Sequence, residues 1–125
     1  MLRVLLFIGA GSFAGGVARY VLSHTVQTGV TSGFPWGTMV VNVLGCFVIG
    51  MLNELFERGH VMNTDLRMFL TTGFCGGFTT FSTFMQENCT LLSDGRFVHF
   101  SLYSILSFAL GLFAAFAGQF VVRAV

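Results

Sequence analysis

Thr71-Thr72-Gly73-Phe74-Cys75-Gly76-Gly77-Phe78-Thr79-Thr80-Phe81-Ser82-Thr83-Phe84 lies inside an apolar stretch, yet glycines, hydroxyl side chains and phenylalanines crowd it. A helix in lipid must satisfy every backbone N–H and C=O internally. It can be interrupted at membrane depth only where the freed groups are buried in protein or line a cavity. Gly76-Gly77 followed by Thr79-Thr80 reads as such an interruption. Broken helices place unwound carbonyls and half-helix ends at mid-membrane, where they serve as ion sites. Beyond the break, Phe81 and Phe84 stand at i and i+3 and share a face that Glu87 and Asn88 continue. The plainer alternative is a glycine-rich packing contact flanked by lipid-facing phenylalanines. The density of hydroxyls beside the break argues against it.

Outside this stretch the composition points the same way. The 125 residues are 54% hydrophobic and 9% charged, with one proline, and the mean hydropathy is +0.83. Such a chain is far more apolar than a soluble domain and is expected to be an integral membrane protein. Its few charges leave four segments between them, each long enough for a hydrocarbon core that needs about 20 helical residues. Arg3 before an apolar run resembles a signal peptide, but no polar mature domain follows, so a retained first helix is expected. Cys46, Cys75 and Cys89 fall in apolar segments without a C-x-x-C pair or a histidine at metal-ligand spacing, which suits small packing residues. A net charge of +1 leaves no basic tract for nucleic acid.

The four helices are expected at about residues 2–22, 36–56, 65–92 with a break, and 97–122, in one membrane domain. In the first, Gly11 and Gly15 form a G-x-x-x-G contact signature, with Ala14 and Ala18 offset by a turn. Arg19, about a turn from its expected end and followed by Tyr20, can either snorkel to the interface or concentrate anions at a pore mouth. Gln27 to Gly33 reads as a polar loop that closes at Phe34-Pro35-Trp36, where Pro35 and Trp36 suit a first helical turn. In the second helix Thr38, Asn42 and Gly45 lie near one face. Asn42 either joins two helices or turns its NH2 into a polar path, where its sign suits an anion. Asn63, Thr64 or Asp65 can cap the third helix. Glu87 is an ionisable group within the membrane and so a functional candidate, against the alternative of a headgroup-level glutamate. Asp94-Gly95-Arg96 reads as a tight turn. Ser104, Phe108, Gly111, Ala115 and Gly118 form a mostly small stripe for packing on the fourth helix. His24, His60 and His99 fall near helix ends, in the solvated interface.

An even number of crossings puts both termini on one side. That side collects Arg3, Arg58, Arg67 and Arg123; the other collects Arg19 and Arg96. So weak a bias permits insertion both ways, and two oppositely inserted copies can close an antiparallel pair about a two-fold axis in the membrane plane.

Three blocks taken together, Gly15-Gly16-Val17-Ala18-Arg19-Tyr20, Gly37-Thr38-Met39-Val40-Val41-Asn42-Val43-Leu44-Gly45 and the stretch Gly73 to Phe84, resemble the Fluc (CrcB) family of microbial fluoride channels. The likeness extends over essentially the whole chain. It implies an all-α, four-helix, dual-topology homodimer in the bacterial cytoplasmic membrane that is not an enzyme and exports fluoride through two pathways. It further implies a structural sodium ion at the dimer centre, held by backbone carbonyls of Gly76 and Thr79. The family's pore phenylalanines fall on Phe81 and Phe84, its pore asparagine on Asn42, its hydroxyl track on Ser82 and Thr83, and its vestibule arginine on Arg19. Thr38, Glu87 and Tyr103 complete the implied pathway.

These residue types suit fluoride. Moving a small anion unpaired into a low-dielectric medium costs tens of kcal/mol, so the lining must replace its water. Amide N–H and hydroxyl O–H groups donate to an anion, and phenylalanine edges carry the positive part of the ring quadrupole without a fixed cation that would trap the ion. A small proton-coupled exporter of cationic drugs is the alternative function, but it would want a carboxylate near mid-helix, and the first helix has none. A membrane thiol oxidoreductase would need paired reactive cysteines.

Overall fold

The computed structural model describes residues 1–59 and 63–125, and among these the chain is helical with no strand. His60, expected at a solvated helix end, lies outside the described residues. Helix α1 spans Leu2–Thr28 and α2 spans Trp36–Glu57. Short α3, Thr64–Met68, runs straight into a π-helical stretch, Phe69–Cys75, and then into a single α-helical turn, α4, Gly76–Phe78. Helix α5 is Ser82–Ser93 and α6 is Phe97–Ala124. Three of these, α1, α2 and α6, are long and apolar enough to cross a membrane. The passage expected over 65–92 is assembled from pieces.

The chain continues α1 well past Leu22. Residues 23–28 contain no glycine or proline, and their hydroxyls fold back onto the helix: Thr25 donates to the Val21 carbonyl at 2.7 Å and Thr28 to that of Thr25 at 2.9 Å. Gly29 ends the helix, bonding back to Val26 and Gln27. Gln27, expected in a loop, instead joins α1 to the entry of α2: its amide donates to the Phe34 carbonyl and accepts the Gly37 N–H at 2.9 Å. Asn63 is the cap of α3, accepting from the Asp65 and Leu66 N–H groups. The Asp94-Gly95 turn closes by Arg96 N–H to the Leu91 carbonyl, and Gly95 adopts the left-handed conformation (φ 72°) that its lack of a side chain permits.

Gly76 and Gly77 do not break the helix; both are helical, and the backbone leaves at Thr79, which is extended (φ −92°, ψ 159°). The glycines nearby serve close approach instead. A Cβ on Gly73 would lie 2.8 Å from the Ile8 carbonyl oxygen and one on Gly77 2.6 Å from that of Ser12, while Gly11 and Gly15 of α1 abut the carbonyls of Phe69 and Phe74. Small residues four apart on both partners thus form one seam, as membrane helix packing favours. A second seam joins α2 to α6, with Gly50 against the Ala115 carbonyl and Gly118 against that of Phe47.

Charged groups tie one end together. Arg3 pairs with Asp65 at 2.8 Å, Arg123 and Arg58 share Glu54 at 3.0 and 3.2 Å, and Arg67 lies over the Phe56 ring. The four arginines expected on one side therefore gather around residues 54–67. Toward the other end, Phe34, Met39, Leu91 and Tyr103 form a buried cluster with Phe84 and Phe100 against it.

Candidate functional site

The break over Thr79–Phe81 is held from three sides. From α2, the Asn42 amide grips the Thr80 peptide at both ends: Nδ2 donates to the Thr80 carbonyl at 2.9 Å and Oδ1 accepts the Thr80 N–H at 2.8 Å. From α1, Arg19 donates through Nε to the Gly77 carbonyl at 3.2 Å. That places a cation at the C-terminal, electronegative end of the Thr64–Phe78 run, where carbonyls lack helical donors. Within the break, the Thr80 hydroxyl accepts the Thr83 N–H at 3.2 Å and caps the first turn of α5. Arg19 is thus half-buried against the break, well inside the longer α1, rather than one turn from a helix end.

These contacts have a consequence for two carbonyls. In an unbroken helix the Gly76 oxygen would accept from Thr80 N–H and the Thr79 oxygen from Thr83 N–H. Both donors are diverted, to Asn42 and to the Thr80 hydroxyl. The Cβ position of Gly76 faces open space, with no atom within 4 Å.

Gly76, Thr79, Thr80, Phe81, Phe84 and Asn42 line one cleft of about 890 Å³ between α2, the break, α5 and α6. The Phe81 and Phe84 ring centroids stand 6.1 Å apart and tilted by 47°. Phe81 is 71% exposed, while Phe84 meets Tyr103 edge-on at 4.8 Å. Behind Phe84, fully buried Tyr103 donates its phenol proton to Glu87 at 2.8 Å, and buried Thr38 sits beside the phenol. The expected site residues therefore form two groups joined by the Phe84–Tyr103 contact: the break with its cleft, and the Tyr103–Glu87–Thr38 cluster. Ser82 and Thr83 open α5 and do not line the cleft.

Two wall residues have roles that the sequence reading did not assign. Thr80 matters through its peptide group and hydroxyl, and nothing in its identity marks it as the residue Asn42 holds. Ser107 on α6 lines the cleft with a buried hydroxyl oxygen that has no hydrogen-bond partner among the described residues; its i, i+3 spacing from Ser104, which bonds buried Asn88 at 3.4 Å, was the available clue. His99 is half-buried, with its ring 5.9 Å from Phe34 and 3.3 Å from the Arg96 guanidinium, which also donates to the Ser32 carbonyl.

Comparison with known proteins extends over the same elements. A family model described as CrcB-like protein, Camphor Resistance (CrcB), matches residues 6–119. A protein of Prosthecochloris aestuarii named fluoride-specific ion channel FluC is 47% identical over 119 residues, covering 95% of this chain and 92% of that protein. Proteins of the same name from Chlorobaculum tepidum and Geobacter sulfurreducens are 45% and 44% identical, over 98% of this chain and 97% and 98% of theirs. The match takes in all three apolar helices, the break and the cleft residues, so the chain is a multi-pass membrane protein that belongs to the CrcB family.

Proposed function

We propose that this protein is a passive, selective fluoride channel rather than an enzyme. The observation that carries this is the interrupted helix, gripped by Asn42 and flanked by Phe81 and Phe84, in an otherwise apolar wall. An anion arriving there meets donors. One Asn42 N–H is free of the Thr80 bond, since the amide has two and one is used. The edges of Phe81 and Phe84, the hydroxyl of Thr38 and, at the start of α5 outside the cleft, the hydroxyls of Ser82 and Thr83 supply further weak positive potential along the path. The Arg19 charge lies behind the break, where it favours an anion without entering its path. Glu87, held by Tyr103, marks the far end of the polar lane. Conduction asks that each contact be strong enough for entry and weak enough for exit, which neutral donors and ring edges satisfy better than a fixed cation. Hydrogen fluoride enters cells as the neutral acid and releases the anion in a more alkaline interior, so a passive exit in the bacterial cytoplasmic membrane lowers fluoride toxicity.

The functional unit in this proposal is a dual-topology, antiparallel dimer with two pathways, each copy contributing four crossings, the third built from the pieces between Thr64 and Ser93. The open cleft beside the break gives a second copy a mostly apolar face to cover. The freed carbonyls of Gly76 and Thr79 fit a structural sodium ion, because a hard cation takes neutral oxygen donors and a second copy would double the set. When bound, that cation supplies fixed positive charge beside both pathways.

The test is ion-specific efflux from liposomes reconstituted with the pure protein and loaded with fluoride or chloride, driven by a potassium gradient and valinomycin. Fast, uncoupled fluoride release without chloride release is expected. No electrogenic fluoride release from a folded preparation overturns the channel, and proton-coupled export with Glu87 as the exchanging carboxylate then becomes the reading to test.

A further inference from the structure

All three cysteines of the chain, Cys46 on α2, Cys75 at the end of the π-helical stretch and Cys89 on α5, stand on the wall of the same cleft. Two of them belong together. Cys75 is buried and Cys46 half-buried, whereas Cys89 is exposed. Residues 45 and 75 also share the wall of a smaller cavity on the α1 side, which sets the Gly45-Cys46 step of α2 against Cys75. Gly111 of α6 backs Cys46, whose sulfur would stand 3.5 Å from a Cβ there. Ser107, one helical turn from Gly111 on the same face of α6, belongs to the wall of this cleft too, with its hydroxyl oxygen buried and without a hydrogen-bond partner among the described residues.

We propose that Cys46 and Cys75 form a two-thiolate site for a soft divalent cation of the mercuric class, with the Ser107 hydroxyl beside it as a weak third donor. Soft thiolate ligands select soft metals, and two sulfurs on facing elements suit a cation content with two-fold coordination. Zinc completes a tetrahedron of four ligands, and no group of three or more metal-ligating side chains exists among the described residues. Binding is balanced: Hg(II) forms two Hg–S bonds, both S–H bonds break, and two protons leave to water. The product carries no net charge, which matters in a low-dielectric wall where an unpaired charge is costly. A monovalent soft cation on two thiolates would leave a negative charge and fits less well. The position has a mechanical consequence. Cys46 lies one helical turn beyond Asn42 and Cys75 immediately precedes Gly76, so a bound cation clips together the two elements between which Asn42 holds the break.

This site rests on the cysteines and the cleft alone, and holds whether or not the chain conducts fluoride. The experiment is titration of the purified full chain carrying Cys89→Ser with mercuric acetate, in the presence of an equimolar small monothiol, following bound mercury and released protons. One Hg(II) per chain and two protons per Hg(II) are expected. Adding Cys46→Ser or Cys75→Ser should weaken retention roughly a hundredfold or more, because a second tethered ligand acts at high effective concentration. Equal retention in either single-thiol variant, or one mercury per two chains, overturns the site. X-ray absorption at the mercury edge of the Cys89→Ser protein decides independently of how the double variants fold: two sulfurs per mercury support the pair, and one sulfur overturns it.

Discussion

Asn42 was conspicuous in the sequence as an amide deep in an apolar helix, but its contact was not readable there, because what it holds is a backbone unit whose exposure depends on where the facing helix breaks. With Nδ2 and Oδ1 both on Thr80, the side chain both secures the break and offers its remaining N–H. In Asn42→Asp a carboxylate oxygen replaces the donor facing the Thr80 carbonyl, and a negative charge enters an anion's path. Leaving one buried partner unpaired costs about 1–3 kcal/mol, and liposome fluoride efflux is expected to fall roughly tenfold or more, each 1.4 kcal/mol being tenfold in rate. Full activity would reduce Asn42 to a structural clamp. Phe81→Ile and Phe84→Ile separate two roles that the i, i+3 spacing had merged. Exposed Phe81 contributes little to the packing of one chain, whereas Phe84 gives up an edge contact with Tyr103 worth about 0.5–1.5 kcal/mol. Both are expected to slow fluoride efflux, but only Phe84→Ile should also lower the unfolding temperature; unchanged efflux in both would remove the ring edges from the pathway. The Tyr103–Glu87 bond was out of reach of sequence reading because it joins residues on two helices through a buried phenol. Tyr103→Phe is expected to leave Glu87 without its 2.8 Å donor and to lower thermal stability by the about 1–3 kcal/mol of an orphaned polar group, read as an earlier loss of the intact species on heating in detergent.

At the scale of elements, the apolar helices and their turns were legible, because length, charge-free runs and the Asp94-Gly95 turn are local properties. The position of the break was legible only to within a few residues. Glycines announce both unwinding and close approach, and Gly73 and Gly77 turned out to serve the second, pressed against α1, while the unwinding begins at Thr79 under the pull of Asn42 and Arg19. The extra turns of α1 were missed for a related reason: Ser23, Thr25, Thr28 and Gln27 look like loop residues, but three of them bond back to their own helix and the fourth bridges to α2. The adjacent glycines offer a direct test. Gly77→Ala puts a Cβ 2.6 Å from the Ser12 carbonyl oxygen in a seam of backbone on backbone, and overpacking of this kind costs about 1–3 kcal/mol. Gly76→Ala meets no atom within 4 Å in the same chain. Gly77→Ala should therefore destabilise the protein in thermal melts while Gly76→Ala leaves the fold of a single chain intact; equal destabilisation would mean that the seam with α1 is not what the glycines serve.

For the whole molecule, the ion pairs Arg3–Asp65 and Arg123–Glu54–Arg58 bring the first and last helices to the same end as the close of α2 and the start of α3, in keeping with the charge grouping read from sequence. The pairing of two copies proposed here has no residue pattern in a single copy that specifies it; the freed carbonyls of Gly76 and Thr79 are the nearest thing to a signal. If two antiparallel copies close over that face around a sodium ion, the cation neutralises carbonyl dipoles that would otherwise confront one another, so assembly and ion binding are linked: whatever binds the pair and not the single chain stabilises the pair by mass action. Replacing sodium by a large organic cation throughout preparation should then shift the protein toward single copies in detergent, seen as a smaller species by size-exclusion with light scattering, and restoring sodium should reverse the shift. Gly76→Ala should blunt the sodium dependence, since its added methyl stands in the open space beside one of the two carbonyls. A dimer that persists unchanged without sodium would show that the freed carbonyls are satisfied in some other way, by water or by the facing chain, and would remove the ion from the architecture while leaving the fluoride pathway to stand on its own residues.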